Sequence, residues 1–276
     1  KSSWSVLKAD KELIALPAIS GVASIIVAAT FIVPLFATQD LNADESPGVL
    51  TYIVLFAMYV ALAYVTIFFN AALISAAHER LNGGDPTIRS AVAGARSRAG
   101  KILPWAIVSA TVSIILRAIE ERAGTLGRIV AGLAGVAWAV VTFLVLPIIV
   151  IEGLSVGDAI KKSGNMFKQT WGENLAAQVG FGLIGFVAVL PAVLVAFLGI
   201  SAGGAGAVVA IAIAVLWVIL VTLVISALSG VFQTALYHYA VDGEVPSGYF
   251  SNDALSASFA QKHRRSGGFG GGIVGG

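Results

Sequence analysis

Long apolar stretches alternate with short polar segments along this chain. Each stretch has about the 20 residues that a helix needs to cross a hydrocarbon core of about 30 Å, and none carries an ionisable residue near its centre. Pro147 and Pro191 fall inside or near the ends of such stretches and predict local kinks. The pattern predicts six transmembrane helices, at residues 13–36, 48–77, 102–118, 129–151, 175–199 and 205–237.

Three shorter segments mix basic and apolar residues and lead directly into a span: 2–11, 86–100 and 156–171. Such segments commonly lie in the membrane interface, with aromatic rings at headgroup level and lysines toward water. Trp4 and Trp171 are placed to serve as those rings. We therefore expect three interfacial amphipathic helices, each anchoring a hairpin of two spans. A role as docking surfaces or gates is the alternative.

Internal similarity supports a threefold division of the chain. The segment Phe69–Leu73 resembles Phe232–Leu236 at an offset of 163, and Ser3–Lys8 resembles Ser163–Lys168 at an offset of 160. Units of two spans return the chain to its starting side, so successive units would be parallel. The predicted repeats are 2–82, 86–153 and 156–243, within an all-α membrane domain at residues 1–250. Chance similarity among apolar helices is the other interpretation.

Composition assigns the chain to the same class. Hydrophobic residues make up 58% and charged residues 12% of its 276 residues, whereas soluble domains have about 25% charged residues. We therefore expect a membrane protein and not a water-soluble fold. The chain has no cysteine, which excludes disulfides and thiolate metal sites.

The distribution of basic residues predicts the topology. Of the 17 Lys and Arg residues, only Arg117, Arg122 and Arg128 fall in the segments opposite the amino terminus. Positive charge is enriched in cytoplasmic loops, so we expect a protein of the cell membrane with both termini in the cytoplasm. Anionic lipids of the inner leaflet are the expected partners of these cations, and no nucleic-acid partner is required to explain them.

The polar residues inside the spans are Asn70, Gln178 and Gln233, with scattered Ser and Thr. An amide in lipid seeks a partner across helices, so interhelical packing is the first interpretation and a small polar cavity the second. His78 and His238 lie at the ends of the second and sixth spans, outside any metal-binding motif. We predict no catalytic residue, no metal and no cofactor.

The carboxyl-terminal segment, residues 251–276, ends in a glycine-rich run. Phe269, Ile273 and Val274 are spaced apolar residues on a backbone that can adopt almost any conformation. We expect them to dock against another subunit or a neighbouring chain. The segment is predicted to be a cytoplasmic tail.

Three segments carry a family resemblance: the opening Ser3–Leu13, the segment Phe69–Leu73 with its Gly83–Pro86 turn, and Ala235–Ala240. With these, the chain resembles a group of poorly characterised six-span bacterial and archaeal membrane proteins that carry a domain-of-unknown-function label. That group is similar to the membrane domain attached to some glycerophosphodiester phosphodiesterases. The resemblance implies a six-span fold over about residues 2–250 and implies no activity.

The sequence leaves two functions open. The first is a scaffold or accessory subunit of a homo- or hetero-oligomeric membrane assembly, without enzymatic chemistry. The alternative is a transporter or channel for a neutral or lipid-like substrate. Ion-coupled transport is disfavoured because intramembrane carboxylates or histidines usually carry it, and a membrane enzyme is disfavoured because no acid, base or metal cluster stands out.

Overall fold

The computed structural model describes residues 7, 10, 12–38, 48–122, 124–169 and 173–242. Within these residues the protein is helical and contains no strand, as the sequence predicts. The long helices are α1 (Glu12–Thr38), α2 (Val49–Leu81), α4 (Ala99–Arg122), α5 (Gly124–Thr142), α8 (Glu173–Ala202) and α9 (Gly204–Asp242). The short ones are α3 (Ile88–Ser97), α6 (Val145–Ile151) and α7 (Val156–Gln169).

Several of these helices are long and apolar enough to cross a membrane, so the protein is a multi-pass membrane protein. In the described part of the chain five segments qualify: Leu13–Leu35, Val49–Leu81, Ala99–Arg122, Gly127–Ile151 and Gly204–Asp242. The predicted span at 175–199 coincides with α8, whose apolar segment Gly185–Ser201 is shorter. The predicted span at 129–151 is interrupted between the end of α5 at Thr142 and the start of α6 at Val145. Pro147 is therefore in the first turn of α6, where its missing N–H costs little.

Consecutive long helices pack against each other: α1 against α2, α4 against α5, and α8 against α9. The contact between α8 and α9 is the most extensive. It includes the Trp217 indole Nε1, which donates to the Ala188 carbonyl at 2.8 Å. It also includes Gly199, where a Cβ would lie 2.0 Å from the Cβ of Ala210. Glycine is required at position 199 because the helices approach too closely for a side chain.

The buried side chains gather at one end of the bundle, which we call the core end. It consists of the first turns of α1 and α4, the last turns of α2 and α9, and all of α6. Representative members that are almost inaccessible are Leu13, Leu73, Ile102, Ile148 and Val231. Because α2, α6 and α9 finish where α1 and α4 begin, their apolar ends form one common core.

The opposite halves of the long helices expose apolar side chains. Ile25 of α1 is 71% exposed, Leu133 of α5 66%, Phe197 of α8 69% and Val208 of α9 69%. In water this much apolar surface would drive aggregation. In a bilayer it is the surface that a spanning helix presents to lipid tails, so the exposure agrees with the membrane assignment.

The two short helices α3 and α7 lie at the core end and begin in the same way. Thr87 Oγ1 accepts from the Ser90 N–H at 3.1 Å, and Ser90 Oγ accepts from the Thr87 N–H at 3.0 Å. Before α7, Ser155 Oγ accepts from the Asp158 N–H at 3.3 Å. A polar N-cap with a polar partner three residues later satisfies the free N–H groups of a helix start. One residue after this partner, each helix buries an alanine: Ala91 in α3 and Ala159 in α7.

Candidate functional site

Helices α2 and α9 run parallel and in close contact. A Cβ on Gly230 of α9 would lie 2.4 Å from Leu73 Cδ2 and 3.6 Å from Asn70 Oδ1, both on α2. Further along, His78 of α2 meets His238 of α9. Asn70 and Gly230, like His78 and His238, are separated by 160 positions, so the two helices keep one register over two turns. Gly230 sets this register because a larger residue would push the helices apart.

Two open cavities flank this contact on the side away from the core end. One lies between α1, α2 and α9 and has a volume of about 400 Å³. The other lies between α2, α8 and α9 and has a volume of about 480 Å³. They share Asn70, Thr222 and Ser226. We refer to the two cavities together as the polar groove.

The described lining of the polar groove is uncharged. Its polar side chains are hydroxyls and amides: Ser20, Ser24, Thr66, Asn70, Thr222, Ser226, Ser229 and Gln233. Thr66 Oγ1 donates to the Leu62 carbonyl at 2.9 Å, and Thr222 Oγ1 donates to the Val218 carbonyl at 2.8 Å, so these hydroxyls are satisfied within their own helices. The Asn70 amide, in contrast, has no hydrogen-bond partner within the described part of the chain. It can donate and accept, and it faces the groove.

The candidate polar residues from the sequence have different placements. Asn70 and Gln233 line the same cavity. The Gln233 amide Nε2 also donates to the Phe143 carbonyl, at the break between α5 and α6, so Gln233 links α9 to this break. Gln178 belongs to α8, but its side chain lies outside the described residues. The tail residues Phe269, Ile273 and Val274 also lie outside them.

A histidine pair joins α2 to α9 at the core end. His78 Nδ1 and His238 Nε2 are 2.8 Å apart, and the ring planes differ by 2° with centroids 4.9 Å apart. Stacked rings need about 3.5 Å between their atoms, so nitrogens at 2.8 Å mean that the rings meet edge to edge. The geometry is that of a hydrogen bond between two imidazoles lying nearly in one plane.

The hydrogen bonds around the pair restrict its tautomers. His238 Nδ1 lies 3.1 Å from Asp242 Oδ2, and a carboxylate can only accept, so His238 carries a proton on Nδ1. If His238 is neutral, its Nε2 has a lone pair and His78 donates to it from Nδ1. Asn82 Nδ2 also lies 3.3 Å from His78 Nδ1, and in this tautomer its N–H groups point elsewhere, because two donors cannot pair. Asn82 Nδ2 donates to the His78 carbonyl at 2.8 Å and holds the last turn of α2 in place.

A second polar contact ties α9 to the segment after α6. The Tyr237 hydroxyl donates to Glu152 Oε1 at 2.6 Å, and Lys162 Nζ of α7 donates to Glu152 Oε2 at 2.6 Å. Tyr237 is only 4% exposed. Glu152 therefore has both carboxylate oxygens occupied and joins three helices at the core end. Removing either partner would leave a partly buried carboxylate with an unfilled oxygen.

Two basic side chains, Arg98 between α3 and α4 and Lys101 in the first turn of α4, cover the end of α6. Arg98 Nε donates to the Val150 carbonyl at 3.2 Å, and Lys101 Nζ donates to the Gly153 carbonyl. Cations at the last carbonyls of a helix satisfy groups that have no partner within it and complement its dipole. Gly153 has a φ of +68°, and a Cβ there would lie 2.5 Å from an Arg98 guanidinium nitrogen.

The histidine pair is the main feature that the sequence analysis missed. His78 and His238 are 160 residues apart, which is the same offset as one of the repeat matches, and this agreement was an available signal. Among the described residues, no group of three or more His, Asp or Glu residues is placed to hold a metal ion.

Comparisons with known proteins place most of the chain in one family. A family model described as a family of unknown function, DUF6159, matches residues 49–248, which covers more than half of the chain. No curated protein and no solved structure matches the chain. The predicted resemblance to an uncharacterised family agrees with this match, while the similarity to membrane domains of glycerophosphodiester phosphodiesterases stays a prediction.

Proposed function

The chain belongs to DUF6159, a family of unknown function, and we propose that it is a non-catalytic membrane protein that binds and carries a neutral, lipid-like molecule in the polar groove. This is the second of the two functions that the sequence leaves open. The groove favours it over a scaffold because a purely structural bundle has no need of a cavity lined by hydroxyls and amides.

The observation that carries the proposal is the Asn70 amide. It lies in the groove with no hydrogen-bond partner among the described residues. The open groove leaves this amide accessible, and an amide that faces hydrocarbon instead of water without a hydrogen bond costs about 1–3 kcal/mol in proteins. A ligand whose headgroup carries a hydroxyl or an ester carbonyl would complete the hydrogen bonds of Asn70 and recover this free energy.

The lack of charged residues in the described lining of the groove limits the class of ligand. No Lys, Arg, His, Asp or Glu lines either cavity in the described part of the chain, so a phosphate or ammonium group would enter without a counter-ion. Taking an unpaired charge out of water is strongly unfavourable. A neutral headgroup avoids this cost, and the groove opens beside the apolar helix faces where acyl or isoprenoid chains would lie.

The architecture that we propose for this function has six spans in three parallel hairpins, with α3 and α7 as interfacial helices. The contacts between consecutive long helices and the parallel register of α2 and α9 support it. We further propose that the core end faces the cytoplasm of a cell membrane. Basic residues at this end support that orientation: Arg80, Arg89, Arg96, Arg98, Lys101, Lys161 and Lys162.

The orientation is testable because the chain has no native cysteine. Ala93→Cys places a thiol on the exposed side of α3 at the core end, and Arg122→Cys places one at the exposed end of α4 on the opposite side. In intact cells, a membrane-impermeant maleimide should label Arg122→Cys and should label Ala93→Cys only after permeabilisation. The reverse pattern would place the core end outside the cell.

The function is tested by measuring which lipids stay bound to the intact protein. Native mass spectrometry from mild detergent should detect a stoichiometric neutral lipid on the wild-type chain. Asn70→Leu should abolish its retention, because leucine keeps a similar volume and removes the amide. Thr222→Val should weaken retention, because Thr222 lies where the two cavities meet.

A matched control separates the groove from general effects on the bundle. Thr111 of α4 donates to the Ile107 carbonyl at 2.8 Å, as Thr222 does within α9, but it does not line the groove. Thr111→Val should leave lipid retention unchanged. A particle with one stoichiometric partner protein and no neutral lipid would refute the carrier function and support the scaffold or accessory subunit.

A further inference from the structure

We propose that His78, His238 and Asp242 form a proton-binding site whose occupancy controls the contact between α2 and α9. The ligand-binding role of the groove that this contact would open and close rests on the proposed function. The proton site itself does not depend on which ligand the groove binds. The site consists of three groups in series, with Asp242 Oδ2 3.1 Å from His238 Nδ1 and His238 Nε2 2.8 Å from His78 Nδ1.

The number of protons on the two rings decides whether the contact holds. With both rings neutral, His78 Nδ1–H donates to the lone pair of His238 Nε2, and His238 Nδ1–H donates to Asp242. One further proton can enter on His78 Nε2, which leaves the N–H···N bond in place and strengthens it as a charge-assisted bond. A second further proton must enter on His238 Nε2. The two N–H groups then point at each other at 2.8 Å, between two cationic rings.

Among the described residues, Asp242 is the acidic residue whose carboxylate contacts the histidine pair. It offsets one positive charge and cannot offset two. Asn82, which follows the last residue of α2, is neutral. On α9, the Tyr237 ring packs edge-on against His238 with centroids 5.7 Å apart. Three other ionisable groups at this end have partners of their own: Glu79 with Ser90, Arg80 with Asp10 and Asp85, and Glu152 with Tyr237 and Lys162.

The site lies beyond the polar groove, five residues past the lining residues Leu73 of α2 and Gln233 of α9. His78 follows Asn70 by eight residues and His238 follows Gly230 by eight residues, which corresponds to about 12 Å along each helix. Separation of the two rings therefore loosens α2 from α9 at the place where the groove meets the core end. Histidine is the side chain that changes charge between about pH 5 and 8, so acidification on the core side is the signal that this site would detect.

The first test observes the protons directly by nitrogen NMR of the full chain in nanodiscs, with ¹⁵N-labelled histidine. The chain has 3 histidines, so His78→Gln, His238→Gln and His263→Gln assign every signal. We expect a through-hydrogen-bond coupling between His78 and His238 at pH 8 that is lost at pH 5. We also expect removal of one ring to change the titration of the other. Independent titration of both rings, unchanged in the single variants, would overturn the proposal.

The second test asks whether protonation opens the groove. Ser229→Cys places a thiol in the groove on α9, and Ala93→Cys on the exposed side of α3 corrects for the pH dependence of the reagent. The ratio of their modification rates should rise about fivefold or more from pH 8 to pH 5. The rise should persist in His263→Gln and disappear in His238→Gln. A constant ratio in the wild-type background, or a rise that survives His238→Gln, would overturn control of the contact.

These outcomes are distinguishable from failure of the proposed function. Neither test requires a bound neutral lipid, because the nanodiscs can be formed from phospholipid alone, so a chain that retains no neutral lipid can still show the coupled titration and the pH-dependent opening. Conversely, a chain that retains the lipid but titrates its histidines independently would keep the carrier function and lose the proton site.

Discussion

Gly230→Ala tests the close approach of α2 and α9 on which both the groove and the histidine pair depend. The added methyl group would lie 2.4 Å from Leu73 Cδ2 and 2.9 Å from Leu73 Cγ. Leu73 is 1% exposed and belongs to the hydrophobic cluster at the core end. Its side chain therefore has little room to rotate away, and either Leu73 or the whole of α9 must shift.

The expected magnitude follows from two opposing terms. Forcing a methyl group into a filled core costs about 1–3 kcal/mol, while replacing glycine by alanine inside a helix recovers about 0.5–1 kcal/mol. The net loss is about 0–2.5 kcal/mol, with a midpoint of about 1 kcal/mol. For a chain of this size each kcal/mol shifts Tm by about 2–4 °C, so we expect Tm to fall by several degrees, measured by thermal unfolding in detergent.

Two comparisons make this prediction specific. Gly132→Ala adds a methyl group to α5 where no heavy atom lies within 4 Å, so it should stabilise the protein by about 0.5–1 kcal/mol. Leu73→Ala should cost about 2–5 kcal/mol alone, and the double variant with Gly230→Ala should cost less than the sum. If Gly230→Ala is as stable as Gly132→Ala, or the double variant is strictly additive, the close contact is wrong.

Two further pairs of variants, each a test and its control, probe contacts at the core end. Tyr237→Phe removes the hydroxyl that donates to Glu152 and should lower the free energy of unfolding by about 1.5–3 kcal/mol. Its control, Tyr59→Phe on the lipid-facing side of α2, should leave the free energy of unfolding unchanged. Equal effects of the two variants would contradict the hydrogen bond between Tyr237 and Glu152. Gly153→Ala and Gly83→Ala both replace a glycine with positive φ, which costs about 1–2 kcal/mol. Gly153→Ala should destabilise more, because an arginine side chain packs where its methyl group would lie and Gly83 faces open space; equal losses in thermal unfolding would refute that packing.

The membrane class and most of the helix positions could be predicted from the sequence, because they depend on local apolar runs. The predicted second span ended at residue 77, whereas α2 continues to Leu81. The last turn of α2 contains His78 and Arg80, whose polarity ends an apolar run without ending a helix. Sequence polarity marks where a span leaves the hydrocarbon, and the helix extends beyond that point into the core end.

The histidine pair could not be predicted from local pattern, because it depends on the register between two helices far apart in the chain. That register is set by the fit of Leu73 against Gly230, which no hydropathy profile contains. Asn70 was identified from the sequence as a polar residue in a span. That its amide faces a cavity follows only from the packing of α2, α8 and α9. That Gln233 reaches the Phe143 carbonyl follows only from the packing of α9 against the break between α5 and α6.

The most direct test of the neutral-ligand groove is photo-crosslinking from a residue that lines it. A photoreactive phenylalanine analogue in place of Phe69 lies in the groove, and the same analogue in place of Tyr59 lies on the lipid-facing side of α2. After irradiation in native membranes, mass spectrometry of the intact chain should find a neutral lipid on position 69 and bulk phospholipid on position 59. The same bulk phospholipids at both positions, or a protein adduct at position 69, would contradict the account.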